Sequence, residues 1–258
     1  MTDAGASLKA ADPSPRQPSA GQTLVWSLIS TALLAGWLAF QMGWVWALAG
    51  VIGVFVHEYG HVLAMNALGC GPGRIRIVPF VGGAAIPKVP PGTEFKGVLI
   101  ALAGPVFGLV AMAPFFIAYA ATGQGVWLGG AFFIAVISLI NLAPAPPLDG
   151  SKALGPALAR IHPWLEKAAL VVVGALAVLW ALSTHNWIFG VFVALGVLGA
   201  LKQGRVRPFA LRLTGRQWLA SVALYAAALG LCLAALDLSL RGAGLDAVLR
   251  MVLHVFGA

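Results

Sequence analysis

Three ionisable side chains lie close together inside a long apolar stretch of the sequence. His57, Glu58 and His61 form the pattern His-Glu-x-x-His within residues 51–68. A spacing of four residues places both imidazoles on one face of a helix, one turn apart, where they can bind the same metal ion. Glu58 is adjacent and is placed to accept a proton from water at that metal. The pattern therefore predicts a helix with two metal ligands and a general base.

The composition places this motif in a membrane. The chain of 258 residues is 60% hydrophobic and 9% charged, with a mean hydropathy of +0.92. Soluble domains carry about 25% charged residues, so this is the composition of a membrane protein. Ionisable groups at membrane depth are costly and usually functional. In a soluble protein the motif would indicate a zinc protease. In a bilayer it indicates a metal site at membrane depth, which is a narrower class.

The elements that must position the motif are membrane-spanning helices. Spanning a bilayer takes about 17–25 apolar residues. The sequence offers such runs at 24–40, 44–68, 95–121, 126–142, 168–183, 187–201 and 218–236. The fifth and sixth are close to the lower limit, and 245–256 is predicted to be an interfacial or packed terminal helix. The predicted fold class is an all-α polytopic membrane protein with about six to seven transmembrane helices.

The basic residues are distributed unevenly when these spans alternate across the bilayer. One side holds fourteen of the 16 Lys and Arg residues and the other holds two, Arg241 and Arg250. The fourteen are Lys9, Arg16, Arg74, Arg76, Lys88, Lys96, Lys152, Arg160, Lys167, Lys202, Arg205, Arg207, Arg212 and Arg216. The positive-inside rule assigns the fourteen, and the amino terminus, to the cytoplasm. This explains the net charge of +8 without nucleic-acid binding.

Residues 69–92 are predicted to be non-helical. They contain Gly-Cys-Gly-Pro-Gly, then Arg-Ile-Arg-Ile-Val with partial alternation, then Gly82 and Gly83. This pattern predicts a short β-hairpin or strand pair at the cytoplasmic membrane face, between the second and third spans. A plain connecting loop is the alternative. An edge strand there would offer backbone hydrogen bonds to an extended peptide.

A second group of polar residues follows the fourth span. Asn141 precedes a proline-rich turn that ends in Asp149 and Gly150, and alternation places this turn on the same membrane side as the histidines. A catalytic zinc ion takes three protein ligands and leaves a fourth position for water. Asp149 is therefore predicted to be the third ligand. The alternative for Asp149 is a cap of the next helix, since Asp-Gly is also a turn signal.

These motifs together resemble the site-2 protease family of intramembrane zinc metalloproteases. The family carries HExxH and an N/L-x-P-x-P-x-L-D-G motif, and here the second reads N-L-A-P-A-P-P-L-D-G at the end of a later span. The resemblance covers residues 24–159. Gly82-Gly83 is similar to a glycine pair in the family's membrane-associated strand, and 103–105 is similar to its A-G-P motif. Family members often have Asn shortly after that proline, where this chain has Phe107-Gly108.

The resemblance implies an activity, a cofactor and a domain organisation. It implies one Zn²⁺ per chain, hydrolysis of a transmembrane protein substrate near the cytoplasmic side of a bacterial inner membrane, and regulated release of a cytoplasmic domain. Residues 1–22 are expected to be a disordered cytoplasmic tail, 23–160 the catalytic membrane core, and 161–258 the C-terminal transmembrane helices. No inserted PDZ module, CBS module or cleavable signal peptide is evident. Asn141, Gly82 and Gly83 are candidates for binding the substrate or the oxyanion, and interhelical hydrogen bonding is the alternative for Asn141.

Two other functions are open at this stage. A metal-ion transporter or channel would distribute ionisable residues through several spans, whereas here they cluster at one depth. A catalytically silent membrane scaffold would not need to keep all of His57, Glu58, His61 and Asp149.

Two cysteines do not form a disulfide framework, and Cys70 is interpreted as a small buried thiol because soft-ligand zinc sites use clustered cysteines. The sequence leaves the oligomeric state open.

Overall fold

The computed structural model describes residues 20–78, 82–185, 187–203 and 211–243 and is mainly helical there. Its helices are α1 (Ala20–Met42), α2 (Trp44–Ala67), α3 (Glu94–Gly108), α4 (Ala113–Thr122), α5 (Val126–Asn141), α6 (Asp149–Ala153), α7 (Gly155–Ile161), α8 (Pro163–Ser183), α9 (Trp187–Gln203) and α10 (Gly215–Ala243). The mainly helical fold class is thus confirmed. The predicted terminal helix at 245–256 lies outside these residues, as does the predicted tail at 1–22 apart from 20–22, which belong to α1.

Several helices are long and apolar enough to cross a bilayer, which makes this an integral membrane protein. Four helical segments in the described ranges meet both criteria: Trp44–Ala67, Glu94–Thr122, Pro163–Ser183 and Gly215–Arg241. Shorter apolar helices cover Leu28–Met42, Val126–Asn141 and Val193–Lys202. The total of six to seven spans requires these shorter helices to cross as well and stays a prediction.

The third predicted span is a composite of three pieces. Thr93 caps its start, because its Oγ1 accepts a hydrogen bond from the backbone N–H of Lys96 at 3.1 Å. α3 then continues through a 3₁₀ turn, Leu109–Met112, into α4. α3 packs along α2, which carries the histidine motif.

Two short strands lie between α2 and α3. β1 (Arg74–Val78) pairs antiparallel with β2 (Gly82–Ile86), with Arg74 opposite Ile86 and Val78 opposite Gly82. The predicted strand pair is therefore confirmed over these ranges, and the residues between the strands, 79–81, lie outside the described part of the chain. β2 packs against α2, which brings a strand to the helix of the histidine motif.

Two buried apolar clusters hold the helices around α2 and α3. The first joins α2 to α5 and the 3₁₀ turn through Val45, Ala49, Met112, Phe115 and Ile134, among others. The second joins α3, the end of α5, α6 and α10 through Val98, Ala101, Leu102, Leu142, Ala153, Ala228 and Cys232. α8 and α9 pack mainly against each other and connect through α7. α10 thus contributes directly to the core that surrounds the histidine helix.

Candidate metal centre

The structure brings together the three predicted metal ligands. One carboxylate oxygen of Asp149, Oδ2, lies 2.9 Å from Nε2 of His57 and 3.0 Å from Nε2 of His61. The two Nε2 atoms are 3.2 Å apart. All three side chains are buried. They form a group whose donor atoms lie within 4.8 Å of one another and that could bind a metal ion.

The donor atoms fit a tetrahedral ion of the size of zinc. Zinc binds imidazole nitrogen and carboxylate oxygen at about 2.0–2.2 Å, which in a tetrahedron places neighbouring donors about 3.3–3.6 Å apart. The observed separations of 2.9–3.2 Å lie just below this range, so a small outward shift of the side chains would accommodate the ion. Two imidazoles and one carboxylate also match the donor set of an open catalytic zinc site. The chemistry and spacing of these residues are therefore compatible with a divalent ion such as zinc.

The second nitrogens of the two imidazoles have different environments. Nδ1 of His61 lies 2.7 Å from the backbone carbonyl oxygen of Ile100, to which it donates a hydrogen bond as an N–H. A neutral imidazole that donates from Nδ1 presents a lone pair at Nε2, which is the form a metal requires. Nδ1 of His57 is buried and has no hydrogen-bond partner among the described residues. α3 thus orients one of the two histidines directly.

Asp149 is held as an anion at the beginning of α6. Burial alone would raise the pKa of its carboxyl group, but the adjacent imidazoles of His57 and His61 outweigh that effect and hold the pKa below its usual range. Nζ of Lys152 lies 3.7 Å from the other carboxylate oxygen. No capping bond is made by the residue preceding α6, Leu148. Asp149 is the first residue of α6 and follows the cap position, and its Oδ2 lies against the two histidines.

Glu58 lies beside the three ligands with one oxygen uncommitted. The side chain is buried, and its Oε2 has no hydrogen-bond partner among the described residues. β2 passes directly over it, since a Cβ atom on Gly83 would come within 2.2 Å of Cγ of Glu58. Of the predicted glycine pair, Gly83 therefore lies against the site, while Gly82 precedes it in β2 and pairs with Val78.

A cavity of about 530 Å³ opens next to Glu58. Its walls come from α2, β2, α3, the end of α5 and α6, and they include all four of His57, Glu58, His61 and Asp149. This volume lies in the usual range for ligand sites, about 300–1,000 Å³. Gly83 and the residues after it in β2 form part of the wall, so a molecule in the cavity would touch the strand as well as Glu58.

Asn141 also lines this cavity, but its amide nitrogen is already engaged. Nδ2 donates a hydrogen bond to the carbonyl oxygen of Ile137 in its own helix, at 2.9 Å. The observed bond is therefore within α5, not between helices. The structure places Asn141 at the wall of the cavity and leaves its proposed contact with a substrate as a prediction.

Gly104 belongs to the site, although it was not among the predicted site residues. A Cβ atom on Gly104 would lie 2.3 Å from Nε2 of His61 and 2.8 Å from Nε2 of His57. α3 thus passes against the metal-binding edge of both imidazoles. The sequence signal was the Ala-Gly-Pro of residues 103–105, because small residues in membrane helices mark close helix approach. Cys70 is buried against Met65 and Ile100 and is outside the metal group, as expected for a buried thiol.

No protein-family model, curated protein or solved structure matches this chain. The motif and the geometry of the site are therefore what indicate a function for this chain. That geometry combines three buried N/O donors at one point, a buried carboxylate beside them, and a cavity that reaches both. The three donors can bind a divalent cation, and the carboxylate can accept a proton from, or donate one to, a molecule in the cavity.

Proposed function

We propose that this protein is an intramembrane zinc metalloprotease of the site-2 protease type. It would hydrolyse a peptide bond within or near a transmembrane segment of another membrane protein. The observation that carries the proposal is the convergence of His57, His61 and Asp149 on one point beside Glu58, within a helical membrane protein. Because the histidines and the aspartate are 88 and 92 residues apart in sequence, their meeting is a property of the fold and not of the local motif.

The residues of the chain divide the chemistry of peptide hydrolysis between them. His57, His61 and Asp149 would hold a zinc ion, which when bound supplies a Lewis acid that polarises the scissile carbonyl and lowers the pKa of water to about 7. The uncommitted Oε2 of Glu58 would accept a proton from the attacking water and later pass it to the leaving amine. The Nδ1–H of His61 bonded to Ile100 would keep that imidazole in the ligating tautomer.

The surroundings of the cavity suit an unwound peptide. A transmembrane helix hides its carbonyl groups in its own hydrogen bonds, so a substrate segment must become extended before it is cut. β2 lies beside Glu58 and lines the cavity. A substrate strand aligned with β2 would receive backbone hydrogen bonds and pass next to Glu58. Helix-weak residues near the cleavage position should therefore favour cleavage.

The charge distribution supports a cytoplasmic orientation of the site in a bacterial inner membrane. With an alternating path, fourteen of the 16 basic residues lie on one side, which the positive-inside rule assigns to the cytoplasm. The turn before Asp149 would lie on the same side. Cleavage there would release a cytoplasmic domain of the substrate, as in regulated intramembrane proteolysis.

The placement of buried ionisable groups favours this function over metal transport. Among the described residues, the buried His, Asp and Glu side chains are the four of the site and Glu94. Glu94 accepts a hydrogen bond from the backbone N–H of Leu213 at 3.0 Å, at the start of α3. A transport pathway needs polar groups distributed through the membrane, whereas four of these five groups are concentrated at one point.

The test is to remove the general base while the metal ligands remain. The chain is co-expressed in bacteria with tagged single-span proteins that carry helix-weak residues, and fragments are identified by mass spectrometry. Glu58→Gln should abolish cleavage and leave zinc content unchanged, while Glu166→Gln in the first turn of α8 is the matched control and should cleave normally. Cleavage that survives in Glu58→Gln would refute the assignment of the base. Zinc flux into vesicles without any cleavage would support a transporter instead.

A further inference from the structure

α10 reaches the turn that carries the third metal ligand. The hydroxyl group of Tyr225, in α10, donates a hydrogen bond of 2.5 Å to the backbone carbonyl of Leu142, the C-cap residue that follows α5. We propose that Tyr225 is a positioning residue for Asp149, acting through this carbonyl. The inference rests on the proposed metal site and adds a residue that lies outside the two motifs.

The Leu142 carbonyl is a group that needs a partner from outside its helix. The last carbonyls of an α-helix have no intrahelical donor, and an unsatisfied carbonyl is costly where lipid replaces water. Leu142 is 1% exposed, so the phenol of Tyr225 supplies a hydrogen bond at a place that is shielded from solvent. A tyrosine suits this position because its ring packs among apolar residues while its hydroxyl stays polar.

The same carbonyl touches the backbone beside the metal ligand. A Cβ atom on Gly150, the residue after Asp149, would lie 1.9 Å from the carbonyl oxygen of Leu142. The turn therefore folds back so that Gly150, after its last residue, contacts the carbonyl group of Leu142 at its start. A displacement of the Leu142 carbonyl would push directly on the peptide that follows Asp149.

The turn has few hydrogen bonds of its own with which to resist such a displacement. Three of the residues between Leu142 and Asp149 are prolines, which have no backbone N–H to donate. The backbone bonds within the turn include Ala145 N–H to Ala143 carbonyl at 2.8 Å and Leu148 N–H to Ala145 carbonyl at 2.9 Å. The Tyr225 bond thus attaches a proline-rich segment to a long helix on one side of the metal site.

α10 also makes hydrogen bonds to its neighbours that do not involve the ligand turn. Removing one of these bonds provides a control for Tyr225→Phe. Nε1 of Trp218 donates to the carbonyl oxygen of Ala157 in α7 at 3.1 Å, two turns before Tyr225 on the same helix. Ahead of α10, the backbone N–H of Leu213 donates to the carboxylate of Glu94. Trp218→Phe removes a side-chain bond from α10 to a neighbouring helix, as Tyr225→Phe does, but not one to the ligand turn.

The experiment measures zinc affinity in the full chain in detergent, by competition with a chromophoric chelator. Tyr225→Phe should weaken zinc binding by about tenfold, the lower end of the range for residues hydrogen-bonded directly to a metal ligand, because Tyr225 acts on Asp149 through the Leu142 carbonyl. It should also change the absorption bands of bound Co²⁺, which report ligand geometry. Trp218→Phe should leave both readouts unchanged. The melting temperature of each metal-free variant shows that it is folded.

The outcomes separate this inference from the proposed function, because neither readout uses peptide cleavage. Zinc affinity and a cobalt spectrum that are unchanged in Tyr225→Phe would overturn the positioning role and leave the peptidase proposal standing. Equal losses of zinc affinity in Tyr225→Phe and Trp218→Phe would also overturn it, since they would show a general effect of loosening α10. A wild-type chain that binds no zinc would overturn both proposals.

Discussion

Gly104→Ala places one methyl group at the edge of both metal-binding imidazoles. The new Cβ would lie 2.3 Å from Nε2 of His61, whereas real Cβ contacts are essentially never closer than 3.0 Å. The imidazole or α3 must therefore move by about 0.7 Å, which is several times the tolerance of about 0.2 Å in metal–ligand distances. We expect zinc affinity to fall about 100-fold, equivalent to about 2.8 kcal/mol.

The matched control is the same substitution where there is room for it. Gly230 in α10 has no atom within 4 Å of the position of its missing Cβ. Alanine is favoured over glycine in a helix by about 1 kcal/mol, and both variants receive this benefit. Gly230→Ala should therefore bind zinc like the wild type and melt at the same or a higher temperature.

The assay separates loss of metal from loss of fold. Zinc affinity is measured by chelator competition in detergent, and the melting temperature is measured with and without excess chelator. We expect the metal-free Gly104→Ala chain to be folded and zinc to stabilise it much less than it stabilises the wild type. Wild-type zinc affinity in Gly104→Ala would show that α3 does not pass against the histidines, and the description of the metal centre would then be wrong.

Three further outcomes follow from the same geometry. Gly83→Ala should reduce cleavage at least tenfold with zinc still bound, because its Cβ would lie 2.2 Å from Cγ of Glu58. Gly92→Ala, at a position with open space, is the control. Full activity of Gly83→Ala would contradict the placement of β2. Asp149→Asn should weaken zinc binding at least tenfold, since a neutral amide replaces an anionic ligand. Asp237→Asn, in the exposed ion pair with Arg241, is the control and should bind zinc like the wild type. Unchanged metal content of Asp149→Asn would show that Asp149 is not a ligand. Zinc at 100 times its Kd should raise the free energy of unfolding by about 2.7 kcal/mol, measured by denaturant titration with and without chelator, and no rise would argue against a metal bound by the folded chain.

The sequence predicted the strongly periodic and strongly apolar parts of the fold. Long apolar runs mark membrane helices without reference to any partner, and the described residues are helical at each of the seven predicted runs. The strand pair was predicted from a change in pattern between two such runs, at 69–92. The number of helices that cross the bilayer is less easily predicted, because several of the apolar helices are short.

The parts of the site that depend on a single helix were easier to predict from the sequence than the parts that depend on two distant segments. His57 and His61 share a helix face because of the helical period, which depends on no other segment. Asp149 could be predicted as their partner only because zinc chemistry requires a third donor. Asn141 and Gly83 both line the cavity, and the bond of Asn141 to its own helix was not foreseen.

The sequence by itself determined that the chain is a membrane protein and that two imidazoles and a carboxylate lie within one turn of one helix. Hydropathy and helical period are local properties, so they need no knowledge of what packs where. Only the tertiary structure decided that Gly104 lies against the imidazoles and that Tyr225 bonds to the ligand turn. Those contacts join α3 to α2 and α10 to the end of α5. They depend on how close the helix surfaces come, which no single segment of the sequence specifies.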